Sequence, residues 1–138
     1  MKKVDPFRFT GKTIAKIIEQ KIAADAEVTK IPWAPLKKEI RKSRVALLST
    51  AGISMKDDKG FDMETEKQKG NWGDPTWRII DQAATSADIN VDHLHIDTSY
   101  IEQDINVALP TQILKSLVNK KIIGSVSQKH YSIMGFQG

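Results

Sequence analysis

Residues 44–50, RVALLST, bring Val and Leu together in a short run that stops at Ala51–Gly52. A run of this length without strict alternation reads as a buried strand ending at a tight turn, and such a strand needs layers packed on both of its faces. The rest of the chain supplies them. Residues 12–26, KTIAKIIEQKIAADA, set Ile14, Ile17, Ile18 and Ile22 on one helical stripe, to pack on a core or on a partner. IPWAPL, 31–36, has two prolines and reads as an extended connector anchored by Trp33. Residues 53–75, charged and carrying three glycines, read as a long loop of the kind that forms a lid, a binding loop or an interface. TWRII (76–80) and INVDHLHI (89–96) read as strands. Pro110 is placed to open a helix. That helix would put Ile113, Leu114, Leu117 and Val118 on one face and close at Gly124. GSVSQKHYSIMGFQG then reads as a strand running into a turn, with His130, Ser132 and Met134 on one side and Tyr131 and Ile133 on the other. The order of elements predicts an α/β sheet with helices packed on it.

Composition narrows the chemistry. The chain has no cysteine, which excludes a thiolate nucleophile, a zinc–thiolate site, an iron–sulfur ligand set and a redox dithiol. No apolar run approaches the roughly 20 residues of a membrane helix, and the N-terminus lacks the apolar segment of a signal peptide. These features, with no disulfide possible, lead us to expect a cytoplasmic protein that does not bind membranes. The net charge of +4 is uneven: residues 1–44 hold 12 Lys/Arg against 5 Asp/Glu, and residues 45–138 hold 9 against 12. The basic charges are spaced along a helix and a turn. That pattern suits a solvated face or a docking surface for an acidic subunit better than nucleic acid.

The chemistry-bearing candidates cluster in three places. VDHLHID, 91–97, read as a strand, puts His93, His95 and Asp97 on one face. They could hold a metal with His130 or Asp104 as a further ligand, act as acid–base or substrate-contact groups, or simply be polar residues bonded to loops. Ser49, Thr50 and Gly52 fall at the C-terminal end of the first strand, where open α/β sheets place their ligands, and are candidate substrate-binding residues. His130 is the last catalytic candidate. Asp104 and Asn106 are expected to cap a turn before Pro110. Trp72 and Trp77 are expected to pack on the sheet.

IPWAPL (31–36), RVALLSTAGI (44–53), FDM (61–63), GDPTWRII (73–80), DHLHID, DINVALP (104–110) and IGSVSQKHYSIMG (123–135), in this order and spacing, resemble the N-terminal half of selenoprotein B of the glycine, sarcosine, betaine and D-proline reductases. The resemblance runs from about residue 31 to the end and leaves residues 1–30 as a basic helical extension. It implies a Rossmann-like or flavodoxin-like three-layer α/β fold, here as a half completed by another chain. It also implies reductive cleavage of a carbon–nitrogen bond in a small amino acid, within a complex of subunits. In that family a selenocysteine, usually with a nearby cysteine, is the nucleophile, and a carbonyl group on a partner, often pyruvoyl, makes the amine a leaving group. This chain has neither selenocysteine nor cysteine, so the nucleophile maps to no residue in it. The expected role is a non-redox subunit without a cofactor of its own. The alternatives are a stand-alone binding or scaffold domain, and a metal-dependent hydrolase using His93, His95 and Asp97.

Overall fold

The computed structural model describes residues 7–8, 10–24, 32–70, 72–94 and 96–135. It forms two compact units, Met1–Pro35 and Leu36–Gly138. In the first, α1 spans Lys12–Ala24; the end of the expected helix, residues 25–26, lies outside the described residues. No residue of α1 is buried, so the stripe of Ile14, Ile17, Ile18 and Ile22 is open. Trp33, expected as an anchor, is exposed as well. Among the described residues no helix is long and apolar enough to cross a membrane.

The second unit is mixed α/β. Its strands are β1 Arg44–Val45, β2 Leu48–Ser49, β3 Ile53–Met55, β4 Trp77–Asp81, β5 Ile89–Val91, β6 Ser125–Val126 and β7 Lys129–Ile133. Its helices are α2 Met63–Lys69, α3 Ser99–Gln103 and α4 Thr111–Asn119. β1 pairs with β6 and β2 with β7, both parallel; β4 pairs with β7 and β3 with β5, both antiparallel. The parallel pairing from which a Rossmann-like or flavodoxin-like sheet is built is confined, among the described residues, to those two ladders. Ile53, Ile80, Ala84, Ile89, Ile101, Ile105 and Leu109 form the core.

RVALLST is not a continuous strand buried on both faces. It breaks into β1 and β2, and Leu48 is exposed. The register explains the break. Val45 and Leu48 face Val126 and Tyr131, so two residues separate the pairs on the first segment and four on the second. Within that mismatch the Leu47 N–H donates to His130 Nδ1 at 3.0 Å, and the Leu47 carbonyl accepts from Tyr131 N–H at 2.9 Å. A buried side chain thus completes the ladder where backbone pairing cannot.

The segment 53–75 is also more ordered than expected, because it contains β3 and α2. The helix carries a full set of end signals: the Asp62 side chain accepts from Thr65 N–H at 2.9 Å, Glu64 and Glu66 sit in the first turn, and Lys67 and Lys69 in the last. Gly70 closes it at φ 68°. Downstream, Pro110 caps α4 as predicted. On the expected apolar face Leu114 is buried and Leu117 and Val118 are half-buried, but Ile113 is exposed. The helix ends at Asn119, and the left-handed residue after it is Lys121 (φ 57°), not Gly124. Gly124 instead allows a close approach: a Cβ there would lie 2.8 Å from the Lys42 carbonyl carbon.

Candidate functional site

Because β2 and β7 run parallel, their carboxyl ends meet. Ser49 and Thr50 lie at one, Met134 and Gly135 at the other. After Thr50 the chain turns back through Gly52, whose φ of +63° and close approach to Asp92 (a Cβ would sit 2.1 Å from its carbonyl oxygen) admit no side chain. The Gly52 N–H donates to the Ile133 carbonyl at 3.1 Å, and its carbonyl accepts from Asp92 N–H at 2.8 Å. Gly52 therefore builds the turn with both of its backbone groups engaged. Ser49 is buried and its hydroxyl accepts from Ala51 N–H at 3.3 Å, a second tie within the turn. A Cβ on Gly135 would stand 3.2 Å from the Thr50 carbonyl oxygen and 3.4 Å from His93 Nε2. The imidazole of His93 thus sits at the junction of the two strand ends.

On this side of the fold a cavity of about 620 Å³ opens at the end of β2. Ser49, Thr50 and Asp97 supply its polar lining; Leu48, Ile96 and Tyr100 are among its apolar walls. Asp97 Oδ1 accepts from Ser99 Oγ at 2.6 Å and from Ser99 N–H at 3.0 Å. Those two bonds hold its carboxyl below the usual carboxylate range, so it is ionised at neutral pH. They also anchor the start of α3.

The seven residues VDHLHID are not one strand. β5 stops at Val91, so the strand alternation that would set His93 and Asp97 on one face does not extend to them. Two carboxylates end it. Asp92 Oδ2 accepts from Phe61 N–H at 3.0 Å and Ser54 Oγ at 3.2 Å, pulling the chain toward the 56–62 loop, while Asp97 starts α3. His95 lies outside the described residues. His93 and Asp97 flank the same strand end, the first beside the Thr50 backbone and the second lining the cavity with Thr50.

His130 is fully buried and serves the ladder. To accept from Leu47 its Nδ1 must be unprotonated, and Nε2 is buried without a hydrogen-bond partner. Burial lowers its pKa; the nearby Asp81 charge acts weakly the other way. It is not among the residues that line the cavity at the end of β2. Asp104 Oδ1 accepts from Asn106 N–H at 2.9 Å, and Asn106 Oδ1 accepts from Gln112 N–H at 3.1 Å; both are the expected caps. Trp77 lies on the sheet but is exposed. Among the described residues no three His, Cys, Asp or Glu side chains are grouped to hold a metal.

One polar cluster is not evident from the sequence alone. Arg78, on β4, is buried and donates to the carbonyls of Lys59, Gly60 and Trp77 and to Thr76 Oγ1. Its guanidinium lies 3.5 Å from Asp74 Oδ2 and 4.3 Å from the centre of the Phe61 ring. Asp74 accepts from Asp62 N–H at 3.0 Å and from Thr76 N–H at 2.8 Å. Burial alone would push the Asp74 carboxyl up, but the Thr76 hydrogen bonds, the Asp62 N–H and the Arg78 charge outweigh it and leave it lowered. The signal was present in GDPTWR, where an Asp two residues before a Thr predicts a closed turn.

The cavity thus lies at the carboxyl ends of two parallel strands in a mixed α/β unit, and the chain has no cysteine. The chain belongs to the glycine/sarcosine/betaine reductase selenoprotein B family, whose sequence model matches residues 13–137. The match begins well before residue 31, so α1 lies inside the family stretch, not outside it. More particularly, the chain is 30% identical over 106 residues to D-proline reductase subunit gamma of Acetoanaerobium sticklandii. That similarity covers 77% of this chain and 40% of the relative, so the match spans less than half of that protein's length. No solved structure matches it.

Proposed function

We propose that the chain is a non-redox part of a glycine-, sarcosine-, betaine- or D-proline-reductase-type complex of the cytoplasm. It supports reductive cleavage of a carbon–nitrogen bond by a selenol or thiol that a partner chain carries. One observation carries the reading: in a family member without any cysteine, the cavity at the β2 end combines an ionised carboxylate, a hydroxyl and apolar walls, and has no thiol of its own. A volume of about 620 Å³ has room for a small amino acid. Asp97 attracts a cationic amine, Thr50 offers a hydroxyl, and Ile96 and Tyr100 exclude water from the carbon skeleton. The partner supplies two things, the selenolate or thiolate that attacks the α-carbon and a carbonyl group, pyruvoyl in type, that accepts the amine's electrons.

The test is reconstitution with the selenol- or thiol-bearing chain under anaerobic conditions, with a dithiol reductant and glycine, sarcosine, betaine or D-proline. Turnover should need both chains. Asp97→Asn and Thr50→Val should raise KM for the amine substrate about tenfold, with a smaller effect on kcat. Turnover by the partner alone at the full rate, or a KM indifferent to both substitutions, would overturn the reading.

A further inference from the structure

Two stretches far apart in sequence, 36–44 and 119–125, meet at the β1–β6 ladder. The Ser43 carbonyl accepts from Gly124 N–H at 3.0 Å and from Ser125 N–H at 3.1 Å, and a Cβ on Gly124 would collide with the Lys42–Ser43 backbone. This contact gathers charge of one sign. Residues 36–44 hold five Lys/Arg against Glu39, and Lys120 and Lys121 add two more. Lys121 is three residues from Gly124, so their Cα atoms stand at most about 11 Å apart. The rest of the unit has the opposite balance: residues 45–138 hold 9 Lys/Arg, two of them Lys120 and Lys121, against 12 Asp/Glu. Those carboxylates do not neutralise the patch. Glu39 pairs with Arg41 and, at 3.4 Å, with Lys42. Among the described residues Lys37, Lys38, Arg44, Lys120 and Lys121 form no ion pair, and all five are exposed.

The patch has shape and apolar points as well as charge. Lys37, Lys38 and Arg44 line a cavity of about 340 Å³ together with Leu36 and Ser43. Leu36, Ile40 and Ile122, each next in sequence to one of the cations, are exposed. Apolar anchors among charged groups are the anatomy of a protein interface. Single-stranded nucleic acid is held on aromatic stacking platforms, and neither stretch contains an aromatic residue. A lipid surface meets protruding apolar groups, whereas Leu36 shares a concave site with the cations.

We infer that this patch docks an acidic segment of another polypeptide, one in which Asp or Glu is interleaved with aliphatic residues. Charge complementarity selects this occupant. An acidic segment is drawn to the patch and repelled by the rest of the unit, so the charge pattern fixes where it lands. Arg44 opens the run 44–50, and Thr50 at the other end of that run lines the cavity at the end of β2. The partner therefore docks away from that cavity. The inference does not depend on the reaction proposed for it.

The experiment treats the full chain, purified with the polypeptides that accompany it, with a carbodiimide that joins amines to carboxylates in contact. Mass mapping should show Lys37, Lys38, Lys120 or Lys121 joined to Asp or Glu of another polypeptide, in a stretch that also carries Leu, Ile or Val. Lys38→Glu combined with Arg44→Glu should weaken reassembly with that polypeptide about tenfold or more at about 0.05 M sodium chloride, and the gap should narrow toward about 0.5 M. Both side chains are exposed, so the unfolding midpoint should stay unchanged. The cross-links need no variant and decide the matter even where the substitutions disturb folding. Cross-links that start only from lysines outside the patch, such as Lys69 and Lys129, overturn the inference. So do cross-links only to a second copy of this chain, and reassembly indifferent to the double substitution. Single-stranded DNA or phosphatidylserine vesicles that bind the chain as tightly as the polypeptide does, and lose it to the same substitutions, overturn it in favour of nucleic acid or membrane.

Discussion

The two faces of the β2–β7–β4 sheet reverse the usual apolar-in, polar-out pattern. The buried face carries Ser49, Arg78, His130 and Ser132, with Ile80 as its one large apolar residue. The open face carries Leu48, Trp77, Ile79, Tyr131 and Ile133. The buried polar groups are tolerable because nearly all are bonded: Ser132 Oγ accepts from Ile53 N–H at 2.7 Å, His130 takes the Leu47 N–H, and Arg78 uses four acceptors. They fix geometry, tying the 56–62 loop and the β2 turn to the sheet. The open face makes no such demands and is available for docking. The difference teaches that in this unit specificity of fold resides in the polar interior, while the large apolar side chains of the other face are left exposed or half-buried.

The comparison breaks most readily at Arg78. Arg78→Met removes the charge opposite Asp74 and orphans three carbonyls, so we expect a loss of about 3–5 kcal/mol in the isolated chain, read from urea unfolding. Wild-type stability in Arg78→Met would show that the interior network is incidental. An intermediate effect is expected from His130 on acidification. Its folded pKa lies below the 6.5 of the unfolded chain, so the unfolded state takes up the proton first. The stability it contributes is complete above pH 6.5 and is lost as pH falls from there toward the folded value, by at most about 1.4 kcal/mol per pH unit. Unfolding midpoints between pH 7.5 and 5 check this, and His130→Gln should flatten that part of the profile. The smallest effect belongs to the open face: Leu48→Arg should change the isolated chain's stability by less than about 0.5 kcal/mol. A large destabilisation there would mean that the face is structural and the contrast false.

Much of the sheet was legible in the sequence. KHYSIMG alternates as expected, and β7 buries the side that carries His130 and Ser132; TWRII became β4; Pro110 opens α4. What was hidden has physical causes. The apolar run at 44–50 suggested burial, but its Leu48 faces outward, and no single-chain pattern distinguishes a residue covered by its own fold from one covered by a partner. The VDHLHID alternation does not become a strand beyond Val91: Asp92 bonds across the chain to Phe61 N–H, a tertiary contact, while Asp97 bonds locally to Ser99 and starts α3. Of the candidate site, Thr50, His93 and Asp97 do gather at one strand end, whereas Gly52 and His130 hold the frame. Charge density at 56–69 suggested a loop although its order of signs, acidic then basic between Asp62 and Gly70, spelled a helix.

The strand at the centre of the β2–β7–β4 sheet is also the last in sequence among the described residues. β7 pairs with both β2 and β4, and the contact between Leu47 and His130 spans 83 positions of sequence. At synthesis rates of about 5–20 residues per second, the first strand leaves the ribosome roughly 4–17 s before its neighbour exists. During that interval Leu48, and Trp77 once it has been made, belong to a nascent chain whose sheet cannot close. The order of the strands therefore keeps this sheet from closing until β7 has been synthesised.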